Sequence, residues 1–148
     1  MKIDTISMGT EFSSILELGD EFSSPEIPEN SSFYRDTQRK PLLFKTIRFI
    51  TQELAETIKA VEEDDGNEIV DGFGDLAFIS LNGIYKEFRS KGFDHLQSTE
   101  KTIQVMYNIC KANLDKRQPD GTVKKINGKV VKPEGWVGPD HSELFEGR

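Results

Sequence analysis

Apolar residues recur at steps of three and four through the middle of the chain, and this recurrence predicts three long helices. Leu43, Ile47, Ile50, Leu54, Ile58 and Val61 form one stripe, expected to face the core of a helix that Pro41 opens and that ends near Asp64. Proline suits a first helical turn because its φ is fixed and its missing N–H has no intrahelical partner to lose. Leu42, Phe49 and Ala60 fall on a second line that Glu53 and Glu56 interrupt, so both carboxylates lie on a partly apolar flank. Residues 67–92 are apolar around most of their circumference, through Ile69, Val70, Phe73, Leu76, Ala77, Leu81, Ile84 and Phe88. Glu68, Asp71, Asp75, Asn82, Lys86 and Arg89 form the narrow polar strip that remains. Such a helix is expected to be central. Its Gly72, Gly74 and Gly83 each cost about 1 kcal/mol relative to alanine, which predicts close approach of another helix. Apolar surface on so many sides also predicts burial by a second subunit.

The third helix is expected from Asp94 as N-cap to about Lys116, with Ile103, Met106, Cys110 and Leu114 inward and Asn113 continuing that face. A short helix is predicted over 11–22, followed by a connecting loop in SSPEIPENSS. Beyond Pro119, TVKKINGKVVK alternates around Asn127-Gly128 and predicts a small β-ribbon, with KPEGWVGPDHSELF an extended arm. The expectation is an all-α fold in a single domain, 1–148. Its helical core covers about 41–116 and its basic C-terminal arm 117–148.

A length of 148 residues, 35% of them hydrophobic and 30% charged, suits one soluble globular domain. The N-terminus has no apolar leader region, and no run approaches the roughly 18 apolar residues of a membrane span. The single Cys110 is expected to be a buried thiol in a reducing, cytoplasmic setting. A net charge of −7 argues against nucleic-acid binding. That average conceals a division. Between Glu53 and Asp75 stand nine acidic residues and one basic one, Lys59, whereas Lys111, Lys116, Arg117, Lys124, Lys125, Lys129 and Lys132 face only Asp115 and Asp120 in the segment 111–132. An acidic metal-binding half and a basic phosphate-binding half suit a metal-complexed polyphosphate; a solvated helix face with a basic tail is the plain alternative.

The acidic half has a register. If the turn EEDDGN is centred near residue 64, the pair Glu53/Glu56 lies about nine residues before it and the pair Asp71/Asp75 about nine after. An antiparallel hairpin rising ~1.5 Å per residue sets the pairs level. Oxygen-only ligands of this kind suit Mg²⁺ or Mn²⁺. Burial of unpaired carboxylates costs free energy or raises their pKa, so the flank position of Glu53 and Glu56 calls for a compensating cation.

RFITQELAETIKA, followed by Asp75 within DGFGDLAFISLNG, resembles the MazG-like all-α nucleoside triphosphate pyrophosphatases, a superfamily that includes phosphoribosyl-ATP pyrophosphohydrolases and dimeric dUTPases. Its signature is EExxE on one helix and ExxD on the next. The branch found in phages and some bacteria ends in an SNxxK helix and a KV-x-KP-x-GW-x-PD arm. Here ANLDK, with Asn113 and Lys116, and KVVKPEGWVGPD, with Lys129, Lys132, Trp136, Pro139 and Asp140, are similar to those endings. Two positions depart from the pattern: Gln52 stands where the first Glu of EExxE is usual, and Gly72 where many members carry the Glu of ExxD. Asp71 then serves as the fourth ligand, with Glu68 as the alternative.

This resemblance implies a four-helix-bundle fold completed by oligomerisation, as a homodimer or a dimer of dimers, in a cytoplasm that would be the host's if the chain is of phage origin. It implies Mg²⁺- or Mn²⁺-dependent hydrolysis of a nucleoside triphosphate, in the deoxy form, between the α and β phosphates. Glu53, Glu56, Asp71 and Asp75 would hold metal, with Glu56 the first candidate to orient the attacking water. Asn82, Asn113, Lys116, Lys129, Lys132 and Trp136 would bind substrate, although Trp136 could equally lock the arm against a neighbouring subunit. Two alternatives stand beside this: a phosphoribosyl-ATP pyrophosphohydrolase, and a degenerate relative that binds nucleotide or a partner without chemistry. His95 and His141 lack paired spacing and are expected at the surface.

Overall fold

The computed structural model describes residues 5–22 and 32–147, with side chains described for 11–22 and 39–147. It is mostly helical: α1 (Thr5–Leu18), α2 (Ser32–Glu62), α3 (Gly66–Ser90) and α4 (His95–Leu114) are followed by a two-stranded antiparallel ribbon, β1 (Lys125–Ile126) and β2 (Lys129–Val130), and a 3₁₀ turn at Ser142–Phe145. The chain divides into two compact units, Met1–Thr99 and Glu100–Arg148, with α4 contributing to both. Among the described residues no helix is long and apolar enough to cross a membrane.

In the first unit the dominant packing is α2 against α3. Asp64 reverses the chain at φ 55°, and Asp65 then caps α3 by accepting from the N–H groups of Asn67 and Glu68 at 3.1 and 3.2 Å. Thr57 lies against Gly72 and Thr46 against Gly83, two contacts symmetric about the Asp64–Asp65 turn. The hairpin is therefore antiparallel and has the expected register. A Cβ at Gly72 would come within 2.2 Å of Thr57 Oγ1, so glycine there permits the close approach predicted for it. A Cβ at Gly83 would meet Thr46 Cγ2 at an ordinary 3.5 Å, and one at Gly74 would meet open space, so the expectation fails at Gly74.

The seam is not the apolar stripe. Thr46, Thr57 and Ala60 are the buried residues among those of α2 whose side chains are described, whereas Ile47, Leu54, Ile58 and Val61 of the expected core stripe are about half exposed. On α3, the polar strip supplies the buried Asn82, Lys86 and Arg89, while Val70 and Phe73 are exposed, so among the described residues α3 is covered on one side and is not central. Small residues let two backbones close together, and this outweighed hydrophobicity in choosing which face α2 turns toward α3.

Beyond the seam, Leu16, Phe22, Tyr85, Phe88 and Phe93 form the core of the first unit. Phe88 and Phe93 meet edge to face at 6.0 Å. Asp20 ties α1 to α3, accepting from Arg89 Nε at 2.6 Å and from the Tyr85 hydroxyl at 3.0 Å; Tyr85 also meets His95 Nδ1 at 2.9 Å, and His95 Nε2 meets Ser13 Oγ at 3.0 Å. His95 is thus part of an internal network, contrary to its expected surface position. A forked pair joins the Arg39 guanidinium to the Glu87 carboxylate.

Helix limits differ from the pattern in instructive ways. The backbone remains helical from Ser32 through Pro41, so Pro41 lies inside α2 at the cost of one intrahelical hydrogen bond and is not its first turn. The first helix begins at Thr5 and stops at Leu18, earlier than the 11–22 expected. Of the connecting loop, residues 23–31 lie outside the described set. Asp94 does begin α4, sharing reciprocal bonds with Gln97 in a capping box.

On α4 the buried positions are Ser98, Thr99, Thr102, Val105 and Ala112, while Ile103, Met106, Cys110 and Leu114 are exposed. The expected inward face is therefore displaced by about one residue, and Cys110 is not a buried thiol. Periodicity locates a stripe but does not say whether the same chain covers it. In the second unit the ribbon forms as expected, with Lys125 opposite Val130, Ile126 opposite Lys129, and Asn127 and Gly128 both at positive φ in the turn.

Candidate functional site

Glu53, Glu56, Glu68, Asp71 and Asp75 line one small cleft of about 140 Å³ at the turn end of the α2–α3 hairpin, together with Thr57 and Gly72. The hairpin register brings the two predicted pairs level, and Glu68 and Asp71 both reach the cleft, so neither excludes the other. Glu53 is half-buried and the other four carboxylates are exposed. Thr57, pressed onto Gly72, donates its hydroxyl to the Glu53 carbonyl at 2.7 Å. Gln52 donates to Glu56 Oε1 at 3.1 Å. Gln52 therefore orients its acidic neighbour.

Burial raises the pKa of Glu53, and the nearby charges of Glu56, Asp75 and Asp71 push it the same way. Among the described residues no ion pair involves any of the five carboxylates. An all-oxygen, uncompensated set of this kind fits a hard divalent cation. The side chains are nevertheless not drawn together: among the described residues, no three acidic, His or Cys groups are placed closely enough to hold a metal ion. The cleft gathers the carboxylates without bringing three of them into a coordination shell.

Asn82, expected to contact substrate, stands two helical turns along α3 from Asp75. It is 8% exposed and lines a separate cavity. The remaining predicted residues belong to the second unit. Trp136 donates its indole N–H to the Ala112 carbonyl at 2.8 Å, so it pins the arm to the C-terminal end of its own α4. The ammonium groups of Lys132 and Lys116 lie 4.4 and 5.5 Å from its ring centroid. Lys116 also donates to Asn113 Oδ1 at 2.6 Å, while Asn113 Nδ2 donates to the Ile109 carbonyl at 2.9 Å. Asn113, Lys116, Lys132 and Trp136 thus form one cluster; Lys129 lies on β2 and does not join these contacts.

The pattern missed Thr46, Thr57 and the role of Lys86. A signal existed: Thr46 and Thr57 are eleven residues apart, as are Gly72 and Gly83, and eleven residues make about three helical turns. Two small pairs at one matched spacing mark a close seam. Comparison with known proteins returned no matching family model, no matching curated protein and no matching solved structure.

Proposed function

We propose that the chain is a MazG-like, metal-dependent nucleoside triphosphate pyrophosphohydrolase that releases a nucleoside monophosphate and pyrophosphate. The observation that carries this reading is the gathering of Glu53, Glu56, Asp71 and Asp75 in one cleft with no internal cation among the described residues. Those four carboxylates, with Glu68 adjacent, would hold Mg²⁺ or Mn²⁺. Such a cation, when bound, offsets negative charge developing on the phosphate oxygens. Glu56, held by Gln52, orients the attacking water by accepting its hydrogen bond. In the second unit, Lys116 and Lys132 beside Trp136 form a basic cluster suited to phosphate oxygens. A second copy of the chain is the proposed cover for the exposed apolar faces of α2 and α3, in keeping with a bundle completed by oligomerisation.

The test is a panel of deoxynucleoside and ribonucleoside triphosphates, dUTP and phosphoribosyl-ATP, with and without Mg²⁺ or Mn²⁺, read as pyrophosphate against orthophosphate. Pyrophosphate release that requires metal supports the reading. No turnover of any substrate, or turnover unchanged in Glu53→Gln, overturns it. The Gln52–Glu56 bond gives one specific reason to keep a second reading, in which the fold binds nucleotide without hydrolysing it, because an amide stands beside Glu56 where the resembled motif carries a carboxylate. Calorimetric binding of nucleotide with no product would favour that reading.

A further inference from the structure

A second cavity opens on the same hairpin, about 400 Å³ in volume, between the end of α1 and the α2–α3 seam. Its walls are apolar, from Ile15, Leu18, Phe49, Phe78 and Ile79, and its polar groups are Thr46, Asn82 and Lys86. That combination, a hydrophobic slot with a few convergent polar groups, is the composition of a small-molecule pocket. The Asn82 side chain makes it specific. Asn82 is 8% exposed, and its amide has no hydrogen-bond partner among the described residues, which leaves its two donors and its acceptor carbonyl open to a ligand.

The surrounding structure holds that amide in place. A Cβ on Gly19 would come within 2.6 Å of Asn82 Nδ2, so the end of α1 closes directly over the amide. Lys86 lies one turn further along α3, its side chain 8% exposed, and reaches Thr46 Oγ1 at 3.4 Å and Glu21 Oε1 at 3.5 Å. Both contacts are long, and an ammonium has three donors and no acceptor. Along α3 the step from Asp75 to Asn82 is seven residues, or about 10 Å, so the cavity and the acidic cleft lie on one seam.

We propose that this cavity takes the planar base of a nucleotide whose phosphates lie at the acidic cleft, and that Asn82 and Lys86 together select a lactam edge, a ring C=O beside a ring N–H. This rests on the pyrophosphohydrolase reading and extends it to the base. The amide of Asn82 pairs reciprocally with such an edge, its NH₂ donating to the ring carbonyl and its carbonyl accepting from the ring N–H. A carboxamide alone would turn over and pair as well with an aminopyrimidine or aminopurine edge. Lys86 breaks that tie because it can only donate, and so favours the carbonyl-bearing edge of uracil, thymine, guanine or hypoxanthine over the amino-bearing edge of cytosine or adenine. Phe49 and Phe78 supply apolar walls for the ring faces.

The experiment separates this inference from the reading beneath it by using nucleosides, which carry no phosphate. Deoxyuridine, thymidine, deoxyguanosine, deoxycytidine and deoxyadenosine are titrated into the full chain without metal and followed by ¹H–¹⁵N chemical shifts. Lactam nucleosides are expected to shift the amides around Asn82 and to bind at least about tenfold more tightly than the amino nucleosides, the value of one hydrogen bond. Lys86→Met is expected to remove that preference, and Asn82→Ala to weaken every nucleoside. Phe49→Ala, at a half-exposed wall, gives the same weakening should Asn82→Ala not fold. Equal binding of all five nucleosides, or shifts remote from Asn82, overturns the inference and leaves the hydrolase reading intact. Selective nucleoside binding in a protein that hydrolyses no triphosphate upholds the inference and overturns that reading.

Discussion

The two ends of the α2–α3 hairpin handle charge in opposite ways. At the far end from the turn three acidic groups among the described residues have a cation within the protein: Asp20 with Arg89, Glu21 with Lys86 and Lys45, and Glu87 with Arg39. At the turn end, Glu53, Glu56, Glu68, Asp71 and Asp75 share a cleft with one another, and no ion pair among the described residues reaches them. Both ends belong to one polar strip on α3. The difference is therefore not one of helix geometry but of compensation. Where the fold needs a charge for its own packing it supplies the counter-charge, and where the acids crowd at the turn end the described residues supply none.

The largest effect is expected at the compensated end. Asp20 and Arg89 have side chains 1% and 6% exposed, so Asp20→Ala leaves a buried guanidinium without its carboxylate. A loss of about 3–5 kcal/mol is expected in urea unfolding, as for other broken buried pairs. A change below about 1 kcal/mol would show that this end is no more compensated than the other. At the cleft the sign reverses. Glu53→Gln removes one of the crowded charges, so stability without metal is expected to hold or rise. Pyrophosphate release is expected to fall by about 10²–10³, the scale of losing one electrostatic stabiliser of a transition state. Added Mg²⁺ should raise the melting temperature of the wild type and not of the variant, since a ligand stabilises the state that binds it.

Gly72→Ala probes the seam that joins the two ends. The added methyl would meet Thr57 Oγ1 at 2.2 Å, and Thr57 sits one turn from Glu53, to whose carbonyl it donates. Overpacking of about 1–3 kcal/mol is expected in thermal unfolding. The double variant Gly72→Ala with Thr57→Ala should recover most of it, because the clash is with that side chain. Failure of the recovery would mean that the backbones themselves set the distance.

How much of this was legible beforehand depended on which physical rule the residues obeyed. The register of the carboxylates, the Asp94 cap and the Asn127-Gly128 ribbon were readable, because turn chemistry and helical rise are local. The buried face of α2 was not: counting apolar residues selected Ile47, Leu54 and Ile58, whereas the fold buried Thr46, Thr57 and Ala60. Hydrophobic patterning finds apolar faces whether or not the described residues cover them. The Asp20–Arg89 and Glu21–Lys86 pairs were equally hidden, since their partners lie more than sixty residues apart and only the return of α1 onto α3 brings them together.

Tyr85 offers the smallest and most selective test of the compensated end. It is fully buried, and its hydroxyl donates to Asp20 Oδ2 at 3.0 Å. Burial raises the phenol pKa, and the negative charge of Asp20 and the hydrogen bond to it raise it further, against a lesser lowering by Arg89. A phenol whose pKa is higher folded than unfolded holds its proton longer in the folded state. Its contribution is complete below the unfolded value of about 10 and is lost as pH rises beyond that value. Unfolding free energy should then fall by up to about 1.4 kcal/mol per pH unit above pH 10 from this group. Tyr85→Phe has no proton to lose, so its curve should start lower, through the lost bond, and run flatter over the same interval. Parallel curves would mean that neither burial nor Asp20 raises the phenol pKa in the folded state, and that Tyr85 takes no part in the charge balance of this end.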